Sequence, residues 1–203
     1  MARDIAFKVY QFNELSEDAK KKAREWYKEV LNNDFGAESE MITLSFEGML
    51  EEYGYPTEDI NWSLTCSQGD GMAFYGKIEE LERVAKRLLD EKKFKRFKLL
   101  VNAGLELEVK IKRNSFGVHY NHYNTMWVDW EAYPSFIFDG NFKKIENFCE
   151  DFINLIEEDI KNVSKELEAS GYKQIDHYYS DEAIDETIIS NEYEFTAEGK
   201  RWA

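Results

Sequence analysis

Apolar and polar positions alternate through "IAFKVYQF", which predicts a β-strand over residues 5–12. The spacing then changes. Ala19, Ala23, Trp26 and Val30 fall on one stripe at helical spacing behind Ser16, a good N-cap, with Glu17 and Asp18 where a helix dipole favours anions. This predicts a helix over residues 17–31. A second helix follows over about 38–53, with Ile42, Phe46, Met49, Leu50 and Tyr53 on its inner face. Gly54 ends it and Pro56 keeps it from resuming. A third is predicted over about 78–95, with Ile78, Leu81, Ala85, Leu88 and Leu89 inward.

Between the second and third helices, "WSLTCSQGDGMAFYG" reads as strand, turn, strand. "LELEVKIK" has period two, with Leu105, Leu107, Val109 and Ile111 facing a core and the charged residues facing water. "VHYNHYNTMWVDWEAY" supplies its partner strand. From Asn141 the spacing is helical again: Phe142, Ile145, Cys149, Phe152, Ile156, Ile160, Val163 and Leu167 recur at three- and four-residue steps. A helix of ~28 residues would be ~42 Å long, with Gly171 as its stop. Ser180 would cap a short last helix. The pattern predicts one α+β domain over residues 1–203: a mainly antiparallel sheet of about five strands packed by helices on one face, with a long acidic helical region from about 141.

Charge sharpens this picture. The net charge is −15, which opposes direct nucleic-acid binding and favours basic protein partners. Residues 141–203 hold 16 acids and 7 bases, while residues 83–113 hold 11 bases and 4 acids and include "KKFKRFK". The contrast fits complementary packing or solvated faces. It also fits a basic patch for a phosphate-bearing ligand, or an acidic arm for a basic partner. Two distant cysteines, no signal-like N-terminus and no apolar run near the ~20 residues of a membrane span lead us to expect a cytoplasmic chain with free thiols.

Candidate chemistry is sparse. The chain has no P-loop, dinucleotide fingerprint, serine elbow or HExxH. No catalytic residue, cofactor or metal is therefore assigned. Gly69-Asp70-Gly71 matches a hairpin turn, since glycine supplies positive φ, but Ser67 and Gln68 beside it add polar groups. His119 and His122 are three apart, so in a strand they point to opposite faces and cannot share a metal without a bulge. A polar contact surface of His119 with Tyr120 or Tyr123 suits them better. Cys66 reads as a half-buried strand cysteine. At the C-terminus, Tyr193, Phe195 and Trp202 either pack on the domain or form an aromatic–acidic patch.

Four segments carry a family resemblance: "VYQFNELSEDAKKKAREWY", "WSLTCSQGDGMAFYG", "GVHYNHYNTMWVDW" and "SDEAIDETIISNEYEFTAEGKR". In these the chain resembles a widespread family of phage and prophage proteins often labelled "antitoxin of toxin–antitoxin stability system". Asn121 stands where that family usually has tyrosine. The resemblance implies a phage context and a shared fold. Together with the charge it leads us to expect an acidic, phage-encoded inhibitor of a basic or nucleic-acid-binding host protein. Such a protein would act in an anti-defence, anti-CRISPR-like or antitoxin-like role, with nucleic-acid mimicry as one means. Ser67, Gln68, Asp70, His119, Tyr120 and His122 are its expected ligand or partner surface, and Glu157, Glu158, Asp159, Glu192 and Glu194 its acidic surface. The alternative is a site that binds or hydrolyses a nucleotide or phosphate, built on the same loop and histidines.

Overall fold

The structure is a computed structural model that describes residues 8–65, 67–114, 120–133 and 142–202. The chain divides into two compact units, residues 1–42 with 173–203 and residues 43–172. The elements run β1 (Tyr10–Gln11), a 3-10 turn (Phe12–Glu14), α1 (Glu17–Asn33), α2 (Gly36–Tyr53), β2 (Asp59–Ser63), β3 (Gly71–Lys77), α3 (Leu81–Leu88) and α4 (Glu91–Asn102). They continue with β4 (Glu106–Arg113), a 3-10 turn (Tyr123–Thr125), β5 (Met126–Tyr133), α5 (Phe142–Tyr178), α6 (Asp181–Ser190) and β6 (Glu194–Phe195). The fold class is α+β, mainly antiparallel, with a long helix near the C-terminus.

In the first unit the Ser16 hydroxyl accepts from Ala19 N and starts α1. The buried stripe of α1 is Ala19, Ala23, Tyr27 and Leu31, with Trp26 half-buried beside it and Val30 37% exposed. The expected Val30 thus gives way to Leu31, because a strict four-residue step follows the face that meets Ile184, Ile188 and Phe195. Tyr10 pairs antiparallel with Phe195, so the N-terminal strand joins β6 rather than the larger sheet. Of the strand expected over 5–12, residues 5–7 lie outside the described residues, only Tyr10–Gln11 are strand, and Phe12 already belongs to the 3-10 turn. Tyr193 and Phe195 pack edge-on to Trp26 at 5.3 and 5.7 Å, so these two C-terminal aromatics serve the core rather than a surface patch.

The second unit holds a four-stranded antiparallel sheet in the order β2-β3-β4-β5. Along β4, Val109 and Ile111 are buried while Lys110 and Lys112 are exposed, as the alternation requires. β5 begins at Met126, later than the sequence pattern suggests, because Tyr123–Thr125 form a 3-10 turn. The single helix expected over 78–95 is two. Leu89 takes an extended conformation, and the Asp90 carboxylate accepts from Lys93 N at 2.8 Å, ending α3 and capping α4. α5 runs through Gly171 instead of stopping there. Gly171 is buried in the helix interior, where a Cβ would lie 2.4 Å from Leu64 Cδ1 and 2.8 Å from Phe46 Cζ. It serves close packing, not helix termination. The buried Ser164 hydroxyl of α5 donates to the Met72 carbonyl of β3, tying that helix to the sheet.

Candidate functional site

β2 and β3 are joined by residues 64–70, a loop longer than a two-residue hairpin, with Ser63 and Gly71 as the last paired residues. The Asp70 carboxylate organises the loop. It accepts from Ser63 Oγ at 2.9 Å, Thr65 N at 2.5 Å, Ser67 N at 2.7 Å and Thr65 Oγ1 at 3.2 Å. Tyr172 Oη stands 3.5 Å away. Partial burial pushes this carboxyl upward, but the hydrogen bonds from Ser67, Ser63 and Thr65 outweigh it and hold Asp70 below the ordinary carboxylate value. Asp70 is thus an internal acceptor, with its lone pairs turned to the loop.

The two glycines have a further role. Gly69, at φ +96°, lies flat against Tyr120, and a Cβ there would sit 2.1 Å from Tyr120 Cδ1. At Gly71, φ +147°, a Cβ would sit 2.7 Å from Asn121 O and from His122 Cβ. The glycines therefore admit the 120–122 segment onto the loop, and Asn121 N donates to Gly69 O at 3.4 Å. His122 Nδ1 accepts from Asn124 N at 3.2 Å, so the side chain caps the 3-10 turn. The His122 ring lies between Tyr120 and Tyr123 at centroid distances of 5.8 and 6.0 Å. Lys165 from α5 covers Tyr123 at 4.3 Å.

The fold therefore brings Ser67, Gln68, Asp70, Tyr120 and His122 together, with Ser67, Gln68 and Tyr120 exposed. His119 and Cys66 lie outside the described residues. Among the described residues no group of three or more His, Cys, Asp or Glu side chains could hold a metal ion. Tyr123, expected beside Tyr120, joins the patch, and Lys165 joins it without any signal in the sequence, since it comes from α5, far from that turn in the chain.

The acidic residues divide. On α5, Glu158 is exposed and Glu157 half-buried. Asp159 leaves the acidic surface: Arg87 grips it bidentately at 2.8 and 2.6 Å, and Tyr55 Oη donates to it at 2.5 Å. The Arg87 guanidinium also lies over the rings of Tyr53 and Tyr55 at 4.9 and 5.4 Å. Burial, and next the Asp159 charge, push the Tyr55 phenol well above its ordinary value. In the other unit, Glu192 is exposed at φ +52° in the turn after α6, and Glu194 is half-buried in β6.

A four-stranded antiparallel sheet, an exposed polar and aromatic loop patch and a long helix bearing carboxylates define a helix-rich α+β protein. The chain belongs to the family described as a domain of unknown function (DUF8835), whose model matches residues 26–185. Comparisons with curated proteins and with solved structures find no match. No helix among the described residues is long and apolar enough to cross a membrane.

Proposed function

We propose that the chain is a phage-encoded acidic binding protein that neutralises a basic, nucleic-acid-binding host protein in the bacterial cytoplasm. One observation carries the reading. Glu150, Asp151, Glu157 and Glu158 share one side of α5 as two pairs seven residues apart, and none of them forms an ion pair with a described residue. They extend over about 12 Å of helix, a density of negative charge that a phosphate-binding surface can accept in place of a nucleic-acid backbone. The net charge of −15 extends the same field over the whole chain. Ser67, Gln68, Tyr120 and His122 supply the polar and aromatic contacts that charge alone does not, and they suit recognition. The family resemblance supports the phage context.

The test is a plating assay in bacteria that carry a nucleic-acid-targeting defence. The wild-type chain should raise phage plating efficiency. A Glu150→Lys, Asp151→Lys, Glu157→Lys, Glu158→Lys variant that melts at the wild-type temperature should not. Equal protection by both proteins would refute the acidic-surface reading.

A further inference from the structure

We propose that α4 is the docking surface for a second copy of this chain, and that the two copies meet through a two-fold axis. The outward side of α4 carries Lys92, Lys95, Arg96 and Leu99 at helical spacing. Leu99 is 69% exposed, the most exposed large apolar side chain among the described residues, and it stands at the C-terminal end of this basic stripe, one turn beyond Lys95 and Arg96. A lone leucine is ordinary on a surface. A leucine at the end of a basic stripe suits an acidic partner that also offers an apolar contact beside its carboxylates.

The geometry supplies that partner. α4 packs beside the first turns of α5: Phe97 meets Phe152 edge-on at 5.5 Å, and Arg96 lies 4.7 Å over Phe148 and donates to Lys144 O at 3.2 Å. Glu150 and Asp151 lie within that stretch of α5, and Glu157 and Glu158 follow about two turns on. A basic stripe and an acidic stripe thus lie on neighbouring helices of one unit without pairing to each other. A two-fold operation sets each copy's cations on the other's carboxylates, so one patch is complementary to itself. Lys95 needs only to exchange Glu91, an exposed partner at 2.6 Å on its own helix. A nucleic acid or an anionic membrane would meet the same cations but also the acids beside them, which the second copy uses and a polyanion does not. In such a dimer the α5 carboxylates are covered, so self-association and capture of a basic host protein exclude each other.

Sedimentation velocity on the purified full chain tests this without any host partner, so its failure is separate from failure of the plating assay. The chain should sediment as a dimer at about 50 mM salt and as a monomer near 0.5 M, where the Debye length is only a few ångströms. The Lys92→Glu, Lys95→Glu, Arg96→Glu variant should be monomeric at low salt. So should the Glu150→Lys, Asp151→Lys, Glu157→Lys, Glu158→Lys variant. An equal mixture of the two should form the heterodimer, because both contacts become complementary again. Leu99→Ala, at an exposed site that tolerates truncation, should weaken the wild-type dimer at least tenfold and guards against misfolding of the triple variant. A wild-type chain that stays monomeric at low salt overturns the proposal, as does failure of the two folded charge variants to pair. A monomer whose α4 cations instead bind heparin or single-stranded DNA overturns it in favour of a polyanion site.

Discussion

Gly171 of α5 lies directly against Leu64 of the β2–β3 connection, with room for no side chain: a Cβ would stand 2.4 Å from Leu64 Cδ1. This contact seats α5 on the loop that presents Ser67 and Gln68, and it explains a glycine inside a 37-residue helix. In an open helical site, glycine destabilises by about 0.5–1 kcal/mol relative to alanine. Gly48 of α2 is such a site, since a Cβ there would meet nothing within 4 Å. Gly48→Ala should therefore stabilise by about 0.5–1 kcal/mol. Gly171→Ala should destabilise by about 1–3 kcal/mol, because Leu64 and Phe46 are packed and must move. Urea unfolding of the two variants checks the opposite signs.

Asp70 links the loop to pH. Its carboxyl is held below the ordinary value of 3.8 in the folded chain, so the folded state favours the ionised form. The stabilisation is fully present above the unfolded value and is lost as pH falls through the lower folded value. Thermal melts of the wild type should lose stability below about pH 4, in part through this group. Asp70→Asn should show a shallower acid dependence in that window. At pH 7, Asp70→Ala should lower stability by about 1–2 kcal/mol through the lost acceptor of Ser63, Thr65 and Ser67.

Arg87 and Asp159 form the least exposed ion pair among the described residues of the second unit, with side-chain exposures of 28% and 16%. Arg87→Ala should destabilise by about 1–3 kcal/mol, below the range for fully buried pairs because solvent still screens it. Arg87→Lys should recover little, since an ammonium lacks the fork and the planar stacking over Tyr53 and Tyr55. A double-mutant cycle with Asp159→Ala should give a coupling of about 1 kcal/mol or more.

Burial pushes the Cys149 thiol up to about 11. At pH 8 the native thiol should stay unalkylated by iodoacetamide, and the Cys149 peptide should label fully only after denaturation. Mass spectrometry of that peptide reads the outcome directly.

Local chemistry is legible in the chain itself. Ser16 and Ser180 cap their helices, and both caps depend on residues three positions away. The alternation of Val109, Lys110, Ile111 and Lys112 places β4 correctly, because side-chain period two is a property of a single strand. Asp90 falls inside the helix that periodicity predicts over 78–95. An aspartate followed by a basic run is also an N-cap, and the cap prevails.

The long-range decisions are not in the sequence. Gly171 carries the same residue type whether it ends a helix or admits Leu64, and only the facing side chains choose. Gly69 and Gly71 match a turn signature, yet their place is set by Tyr120 and His122 about fifty residues on. Glu158 and Asp159 are adjacent and equally acidic, yet one is exposed and the other is gripped by Arg87. The sequence by itself determined the helical and strand character of most segments, the Ser16 and Ser180 caps, the α+β class and the negative charge, because these depend on composition and on neighbours a few residues apart. Tertiary structure alone decided which strand β1 joins, which glycines are contacts and which carboxylates stay at the surface, because each depends on a partner that chain folding brings from far away.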